Sequence, residues 1–512
     1  MTLALPTSPR LVLAISGLAF LLACGGGGGS TSSSAPKPLP TGPRLTTTPS
    51  AQAGYRGDQV TFRVAAEGTG LSYQWLRNGS VIAGATTDSF VLPVQAADDQ
   101  ARYSVRVTAS AGGITTSPEA VLDVLYADPA VSAGHDHALA ITTKGKVYAW
   151  GVGANGQLGL GDYQARMVPT AVALPGPAVQ VAAGWGHSLA LLADGRVFAW
   201  GTNVSGQLGD GTTTMRNVPA PVPGLSGAVY LTCGYNHNLA VKSDQSMWVW
   251  GYNSHGQLGL GDKANRLVPT QSPISAQALA GASLGELHTL LVGLSGDLFG
   301  CGDNGYGQLG FPYSPTTEYL AFTQILARGA KAARAFSLYS TMLGTDGLPY
   351  GTGENVYGQL GDGSFTTRYG FVPMGTAGLN TGSTLDAPIP GQYHTHLLNT
   401  AGDVASTGYN WYGQLGFGAP STTSTTSPQA LPGLKVLALS AGSMSTYAVL
   451  PDLSVKAWGY NNNGRLGDGT ATDRPAPTTV PGLFLGPVPT GITPPAPTAP
   501  RGLQAKAPAR FS

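Results

Sequence analysis

Short apolar runs recur at a nearly constant interval along the chain from residue 129 to residue 485. In the second interval, three runs cover residues 179–184, 187–192 and 196–201, and a shorter run lies near residues 218–222. Almost every position of the inner runs is apolar, which is typical of strands in a sheet that is covered on both faces. Four strands in about 50 residues predict one blade of a β-propeller.

A tetrapeptide marks each interval. Gly-Gln-Leu-Gly occurs six times and Gly-Arg-Leu-Gly once, at spacings of 50, 50, 51, 51, 55 and 51 residues. The copies begin at Gly156, Gly206, Gly256, Gly307, Gly358, Gly413 and Gly464. A period of this length indicates one supersecondary unit stacked many times. Residues 129–485 are therefore predicted to form a seven-bladed β-propeller in an all-β chain.

The two ends of the array predict how the ring closes. The first unit begins at Pro129 with what we interpret as its second strand, and the run 476–480 at the other end has the pattern of a lone first strand. We expect that run to complete the first blade. Strands from both ends of the array would then share one sheet, which removes exposed strand edges.

A different pattern precedes the array. Segments 60–64, 71–76 and 102–107 alternate between apolar and polar residues. Asn78-Gly79 predicts a hairpin turn, because Asn-Gly tolerates positive φ. Several short strands separated by turn residues predict a β-sandwich over residues 43–126.

The predicted sandwich resembles bacterial immunoglobulin-like domains. Trp75 matches the core tryptophan of that family, and Asp99 with Tyr103 matches the Asp-x-x-x-Tyr pattern of its tyrosine corner. The two cysteines of the family would fall near Val64 and Val105. The resemblance therefore implies a disulfide-free copy in which two valines fill that space.

The chain begins with the pattern of an export signal over residues 1–23. Arg10 precedes an apolar run, residues 11–22, which as a helix is too short for a hydrocarbon core of about 30 Å. The run ends in Leu-Leu-Ala before Cys24 and resembles a bacterial lipobox, which implies cleavage before Cys24 and a lipid on its thiol. Plain secretion and an uncleaved anchor are the alternatives. Residues 24–42 predict a flexible Gly/Ser/Pro tether, and residues 486–512 a disordered Pro/Ala-rich tail.

Charge and cysteine content limit the classes of partner and of compartment. Lys and Arg number 27 and Asp and Glu 26, so the chain lacks the basic surplus that neutralises phosphates, and no nucleic-acid partner is expected. Cys233 and Cys301 stand where other repeats have Ala or Trp, which predicts buried thiols. A disulfide between these two is the alternative.

Each repeat also carries the motifs Gly-x-x-His and Trp-Gly-x-Asn, with substitutions in some copies. Together with the tetrapeptide, these motifs closely resemble the regulator of chromosome condensation repeat, and the resemblance implies a seven-bladed propeller. The eukaryotic archetype of that family implies guanine-nucleotide exchange on a small GTPase with chromatin binding. A secreted β-lactamase inhibitor built on the same repeat implies that an exported propeller can act through protein contact.

The repeated histidines are the first candidates for chemistry. A residue that returns once per blade is expected to serve the blade, although a ring of imidazoles could also bind a metal. The pairs His135/His137 and His394/His396 place two imidazoles on one strand face, but no matching carboxylate or cysteine accompanies them. No nucleophile–base pattern or carboxylate pair stands apart from the repeat. We therefore expect no enzyme activity, no metal site and no cofactor.

Aromatic residues beside the tetrapeptide distinguish the later blades. The predicted binding residues are Tyr306, Tyr313, Tyr357, Tyr409, Trp411, Tyr412 and Tyr460. We expect them on one rim over blades four to six, on the same stretch as an insertion at residues 370–386. Clustered Tyr and Trp are the usual anchors of an interface. The alternative is that each ring packs on its own loop.

These patterns predict an exported, lipid-anchored binding module without enzyme activity, monomeric and held at a bacterial outer membrane or cell surface. Its partner would be a protein or a polysaccharide on the loop rim, and the lipid on Cys24 would contact the membrane. A secreted or periplasmic protein is the alternative location. Guanine-nucleotide exchange and a polysaccharide-active surface enzyme are the alternative functions. Export argues against the exchange factor, because neither the GTPase nor chromatin is present outside a bacterial cell.

Overall fold

The computed structural model describes residues 42–314, 317–379, 382–421 and 423–486. Strands dominate these residues, and their helical segments are short 3₁₀ helices at Ala96–Asp98, Ala276–Ala278 and Asn462–Gly464. The all-β prediction is confirmed. None of the helices in these ranges is long and apolar enough to cross a membrane. The predicted signal, Cys24, the tether before Gly42 and the tail after Gly486 lie outside the described residues.

The first ten strands form a β-sandwich. They are β1 (Arg44–Thr47), β2 (Gln52–Tyr55), β3 (Gln59–Arg63), β4 (Ala65–Glu67), β5 (Ser72–Arg77), β6 (Ser80–Val81), β7 (Ser89–Pro93), β8 (Arg102–Thr108), β9 (Ile114–Thr116) and β10 (Ala120–Leu125). The larger sheet has the order β2-β10-β8-β5-β6, with β9 beside β8. Strand β3 pairs with β7, and β1 pairs with β4.

Aromatic rings fill the core between these strands. Trp75 is fully buried, and the rings of Phe62 and Tyr103 stack with their centroids 4.8 Å apart. Val64 and Val105 belong to the same buried cluster. The two valines thus lie in the core, as the resemblance implied, and the assignment of the sandwich to the immunoglobulin-like class stays a prediction.

Two neighbouring aspartates form the corner beside Tyr103. The Tyr103 hydroxyl donates to Asp98 Oδ1 at 3.1 Å. Asp99 instead accepts from the backbone N–H of Val124, at 3.0 Å. The Asp99 carboxylate thus points toward strand β10, and the match of these residues to the tyrosine-corner pattern stays a prediction.

Seven four-stranded antiparallel sheets follow, and each is a blade made of four consecutive strands. The first three blades are β11 (Ala130–Ala133), β12 (His137–Ile141), β13 (Val147–Gly151) and β14 (Arg166–Ala171); β15 (Ala178–Ala183), β16 (His187–Leu192), β17 (Val197–Gly201) and β18 (Arg216–Pro221); β19 (Ala228–Cys233), β20 (His237–Lys242), β21 (Ser246–Gly251) and β22 (Arg266–Ser275).

The remaining four blades repeat this order. They are β23 (Leu279–Leu284), β24 (His288–Gly293), β25 (Leu298–Asp303) and β26 (Glu318–Leu326); β27 (Ala330–Phe336), β28 (Tyr339–Gly344), β29 (Pro349–Gly353) and β30 (Arg368–Pro373); β31 (Ile389–Pro390), β32 (His394–Leu398), β33 (Val404–Gly408) and β34 (Thr425–Ala430); β35 (Ala438–Ala441), β36 (Ser445–Val449), β37 (Ser454–Gly459) and β38 (Arg474–Phe484). The prediction of a seven-bladed propeller is confirmed.

The ring closes by packing between blades and not by a shared sheet. Strand β11 is the first strand of blade one, and β38, which contains residues 476–480, pairs with β37 in blade seven. The predicted shared first blade is therefore wrong. The Trp150 and Tyr447 rings meet edge to face at 5.9 Å across the closing interface, and Trp150 Nε1 donates to the Arg465 carbonyl at 2.9 Å. Buried side chains thus replace the strand hydrogen bonds that we expected there.

The tetrapeptide holds neighbouring blades together. The indole N–H of Trp200 in blade two donates to the carbonyl of Gln157 in blade one, at 2.8 Å. Gly159, the last residue of that tetrapeptide, has φ of 71°, and a Cβ there would lie 2.7 Å from Trp200 Nε1. Glycine is required at this position because the backbone adopts a left-handed conformation directly against the indole.

Three blades lack the tryptophan, and other side chains take over its roles. The Cys301 thiol lies 3.4 Å from the Gln257 carbonyl, and the Thr352 hydroxyl donates to the Gly307 carbonyl at 2.8 Å. Aromatic rings from the fourth strand cover the last glycine of the preceding tetrapeptide in two of these blades; they are Phe322 over Gly259 and Phe371 over Gly310. The interface thus keeps both a donor and a covering ring, supplied by different strands.

The sandwich rests on one end of blades one and two. Lys144, in the turn between β12 and β13, bonds to Asp99 at 2.7 Å and to Asp123 at 2.5 Å. Arg56 Nη1 donates to the Ala193 carbonyl at 2.9 Å, in the equivalent turn of blade two. These contacts place the sandwich at the end of the propeller that carries the turns between second and third strands.

Candidate binding face of the propeller

The opposite end of the propeller collects the longer and more varied connections. In a four-stranded meander, the connection between strands one and two lies at the same end as the connection between strands three and four. The first carries the Gly-x-x-His position and the second carries the tetrapeptide. We call this end the loop face and the end that contacts the sandwich the turn face.

Six aromatic side chains form a continuous group on the loop face of blades five to seven, which we call the aromatic row. Its members are Tyr357, Tyr393, Tyr409, Trp411, Tyr412 and Tyr460. Tyr357 lies with its ring centroid 4.9 Å from those of both Tyr393 and Tyr409. Tyr412 continues the row, 6.4 Å from Tyr409 and 4.4 Å from Tyr460.

The outer members of the row are accessible. The Trp411 ring lies 6.2 Å from Tyr409 and is 54% exposed, whereas the other five members are half-buried. At the far end, the Arg465 guanidinium lies over the Tyr460 ring, 4.4 Å from its centroid. The row therefore presents edges and faces of π-systems that are held in place by one another, with one large ring free to contact a partner.

The structure brings together five of the seven predicted residues and leaves two apart. Tyr313 pairs instead with Tyr369, with ring centroids 5.2 Å apart, and Tyr306 makes no ring–ring contact within the described ranges. The contacting aromatic rings therefore lie over blades five to seven, whereas we expected them over blades four to six. Tyr393 was missed because it lies in the connection between strands one and two, whereas the predicted residues all lie in connections between strands three and four.

The insertion of blade five lies elsewhere. It connects β30 to β31, a link from a fourth strand to the next first strand, which ends on the turn face. Met374 and Leu379 of this segment pack against Leu397 and Ala405. The insertion follows the predicted rim residues of blade five along the chain, but it lies at the end of the propeller opposite the aromatic row, because one strand separates it from those loops.

A second aromatic group surrounds the mouth of the central channel on the loop face. The His135 ring lies 5.9 Å from both Trp185 and Tyr235, and Tyr235 lies 5.8 Å from Phe336. Asp136 connects this group to the row through Arg465. Its Oδ1 lies 2.8 Å from Arg465 Nη1, and the Arg465 guanidinium covers the Tyr460 ring. Burial opposes ionisation of Asp136, but the His135 imidazole, whose Nδ1 lies 3.0 Å from Asp136 Oδ1, and the charge of Arg465 outweigh it and hold the pKa of this carboxyl below its usual value.

Two further carboxylates lie beside these aromatic groups. Burial raises the pKa of Glu286, whose Oε2 lies 3.4 Å from the Ser337 hydroxyl. Burial and the nearby charge of Glu286 raise the pKa of Glu354. The loop face is thus aromatic and locally acidic between blades four and six. The basic side chain of Arg465 lies on blade seven.

The repeated histidines are buried between blades. Their Nε2 atoms bond to a polar side chain of the next blade; the pairs are His137–Ser188, His187–Asn238, His237–Thr289, His288–Ser340 and His394–Thr446. Ser188 donates its own hydrogen to the Gln157 carbonyl at 2.8 Å, so it accepts from His137, whose Nε2 carries the proton. The Nδ1 atoms of these five rings have no hydrogen-bond partner in the described part of the chain. The histidines therefore join blades and do not form an open site.

Other candidate chemical groups are also occupied or isolated. His396 bonds to Ser406 at 2.7 Å and to Thr446 at 2.8 Å, so the His394/His396 pair is engaged with hydroxyls. Cys233 and Cys301 are free thiols, which removes the alternative of a disulfide between them. Burial raises the pKa of Cys233 to about 12. Among the described residues, no group of three or more His, Cys, Asp or Glu side chains could hold a metal ion.

Comparison with known proteins agrees with this architecture. A family model described as an RCC1-like domain matches residues 115–291. The ultraviolet-B receptor UVR8 of Arabidopsis thaliana is 32% identical over 205 residues, which is 39% of this chain and 46% of the receptor. The regulator of chromosome condensation of Xenopus laevis is 31% identical over 221 residues, which is 39% of this chain and 51% of that protein.

The solved structure of yeast RCC1 (Prp20) bound to Kap60 superposes with a TM-score of 0.60 and 20% identity, over 70% of this chain and 85% of that chain. These matches support a propeller of RCC1-like repeats. The present chain spans about half the length of the two curated relatives. Neither the aromatic row nor the channel mouth contains an assembled nucleophile and base, and their surface chemistry is that of an interface.

Proposed function

We propose that this protein is an exported, lipid-anchored binding module without enzyme activity, which captures a partner protein on the loop face of its propeller. The aromatic row is the observation that carries the proposal. Six contacting rings with an exposed tryptophan form the kind of preordered aromatic surface that supplies most of the energy of many interfaces. The rings restrain one another, so little side-chain entropy is lost when a partner binds.

The orientation of the two domains supports this assignment. The sandwich contacts the turn face through Lys144 and Arg56, so the loop face stays uncovered. Gly42 lies against Ile114 and Thr115, at the end of the sandwich opposite Asp99. A lipid on Cys24 would therefore hold the sandwich and the turn face toward the membrane. The aromatic row would point away from the membrane, toward an external partner.

A protein is the partner that the comparisons favour. Yeast RCC1 (Prp20), which shares this fold, was solved with Kap60 bound. A polysaccharide is the alternative ligand, since exposed aromatic rings also stack on sugar rings. Guanine-nucleotide exchange, the activity of the family archetype, has no support in the proposed location.

Replacing Trp411 and Tyr412 with Ala should abolish capture of the partner from the cell surface. Each anchor of an interface contributes about 2 kcal/mol or more, so the double variant should lose roughly a thousandfold in affinity. Trp411 is 54% exposed, so its removal should change stability by only about 0.5 kcal/mol, and the propeller should still fold without the half-buried Tyr412 ring. The measurement is crosslinking of bound proteins on intact cells, followed by affinity capture and parallel glycan arrays.

Tyr163→Ala is the matched control for the row. Tyr163 is 47% exposed in the connection between strands three and four of blade one, outside the row. Its removal should leave capture intact, and Tyr306→Ala and Tyr313→Ala should have smaller effects than Trp411→Ala. Capture that persists without Trp411 and Tyr412, or nucleotide-exchange activity on a panel of purified GTPases, would overturn the proposal. Binding only on the glycan array would assign the row to a polysaccharide.

Anchoring has a separate test. Cells fed a radiolabelled fatty acid should label the wild-type protein, and Cys24→Ala should lose that label completely, because the thiol is the proposed attachment site. Cys233→Ala is the control, since that thiol is largely buried in blade three and should not affect labelling. Equal labelling of Cys24→Ala and wild type contradicts the lipid anchor, but it leaves the proposal for the aromatic row untouched.

A further inference from the structure

One level of the central channel is formed by the seven residues that lie two positions before the Gly-x-x-His glycine or its equivalent. We call these residues the channel ring; they are Ser132, Ala182, Thr232, Ser283, Arg334, Ile389 and Ser440. Six of them are small, hydroxylic or apolar. Arg334 is the exception, and it lines a channel cavity of about 220 Å³ together with the first strands of the other blades. The cavity has room for several water molecules.

The polar side chains of the channel use their oxygen atoms to hold neighbouring inner strands. Each accepts a backbone N–H from the next blade at 3.0 Å; the bonds run from Ala183 to Ser132, from Leu231 to Gln180, from Ala335 to Ser283 and from Ala133 to Ser440. In the part of the chain that the structure describes, none of these four side chains donates a hydrogen bond. Their N–H and O–H groups are therefore available to the channel.

Arg334 adds a charge to this set of donors. Its Nε atom is buried without a hydrogen-bond partner. Its Nη2 atom lies 3.9 Å from Asp386 Oδ2, which is an ion pair but is too long for a hydrogen bond. Across residues 42–314, 317–379, 382–421 and 423–486, the guanidinium donates no hydrogen bond. A buried donor without an acceptor is costly, so the arrangement favours an acceptor from outside the chain.

We propose that the channel binds a small oxyanion between the Arg334 guanidinium and the hydroxyl and amide donors of the inner strands. The planar guanidinium matches the geometry of sulfate, phosphate and carboxylate oxygens, and charge-assisted bonds of this type are the strong ones. Leu231, Leu284 and Leu439 also line the cavity. His135, Trp185 and Tyr235 also line the cavity, so it opens toward the loop face. The site does not depend on the identity of the partner at the aromatic row.

Isothermal titration of the whole protein with sodium sulfate, phosphate and acetate, at pH 7 and constant ionic strength, tests the site. We expect one saturable site per chain and at least a tenfold loss of affinity in Arg334→Gln. Asp386→Asn should tighten binding several-fold, because it removes the carboxylate that competes for the guanidinium. Arg196→Gln is the matched control, since Arg196 pairs with Asp194 on the surface and does not line the channel.

The three anions separate the sources of the ligand. Tighter binding of sulfate or phosphate indicates a free tetrahedral anion, and tighter binding of acetate indicates a carboxylate, which a partner's acidic side chain could supply. If Arg334→Gln does not fold, Arg334→Lys and Asp386→Asn decide, because both variants keep a positive charge at position 334. The proposal is wrong if none of the three anions binds saturably to the wild type, or if Arg334→Gln or Arg334→Lys binds as well as the wild type.

Discussion

The free energy of unfolding is expected to fall steeply as the pH is lowered from 6.5 to 4.5, because six buried histidines must stay neutral in the folded protein. They are His137, His187, His237, His288, His394 and His396. Burial lowers the pKa of His137, His237, His288 and His394 to about 3 and that of His187 to about 4, and the pKa of His396 lies well below its usual value. Five of these rings have an Nδ1 atom without a partner, so a proton added there would place a charge in an interface between blades.

The sign follows from which state binds more protons. The unfolded histidines take up protons below pH 6.5, whereas the folded ones do so only near pH 3 to 4. Stability is therefore complete above pH 6.5 and is lost as the pH falls through that window. Each histidine removes about 1.4 kcal/mol per pH unit, so six remove about 8 kcal/mol per unit. Glu286 and Glu354, whose raised pKa values act in the opposite direction, are too few to compensate.

A typical free energy of unfolding is about 5 to 15 kcal/mol, so the folded state should be lost near pH 5. The measurement is the urea midpoint, followed by tryptophan fluorescence, at intervals from pH 8 to pH 5. His288→Gln should reduce the slope against pH by about 1.4 kcal/mol per unit. Ser445→Ala, at the equivalent position of blade seven, should lower the midpoint by the same amount at every pH. A midpoint that is constant from pH 8 to pH 5 contradicts the prediction.

Trp458→Ala should destabilise the propeller by about 3 to 5 kcal/mol, the usual cost of removing a fully buried large aromatic side chain. The Trp458 indole is fully buried in blade seven, in a cluster with Ile389, Leu398 and Leu431 of blade six. Its N–H donates to the Gln414 carbonyl at 3.0 Å, across the interface. Removal leaves a cavity between two blades and also loosens the tetrapeptide loop that carries Tyr412.

Trp411→Ala provides the comparison. Both tryptophans belong to the same region, but Trp411 is 54% exposed, and its removal should change the free energy of unfolding by only about 0.5 kcal/mol. Equilibrium denaturation of the two variants at pH 7.5 measures the difference. Equal losses of stability would show that the exposed Trp411 ring also stabilises the fold. No loss in Trp458→Ala would show that the blade interface does not depend on the indole.

The aromatic row was predicted in part. The tetrapeptide gives the position of Tyr357, Trp411 and Tyr412 within each blade, because a repeat of fixed length places equivalent residues on the same loop. The sequence could not show that Tyr393 completes the group, since it lies in another connection and meets Tyr357 only across the interface between blades five and six. Tyr306 holds the loop position of Tyr357, but blade five has Leu338 and Glu354 where blade six has Tyr393 and Tyr409, so no ring of the described residues meets it. Tyr313 packs against Tyr369 instead.

The channel site around Arg334 could also be predicted only in part from the sequence. Its position within the repeat is visible in the sequence, where the six equivalent residues are small, hydroxylic or apolar. That the neighbouring hydroxyl oxygens are already used by backbone N–H groups depends on how adjacent inner strands are offset. Only the tertiary structure shows that donors remain unpaired.

The period of about 50 residues and its glycines determined the blades by themselves, because short apolar strands and left-handed turns are specified by residues close together in the chain. The tertiary structure alone decided how the ring closes, which aromatic rings meet and where the sandwich lies. Those features depend on contacts between residues of different blades, such as Trp150 with Arg465 and Lys144 with Asp123. The repeat gives each blade the same pattern, so the sequence cannot distinguish between alternative pairings of its edges.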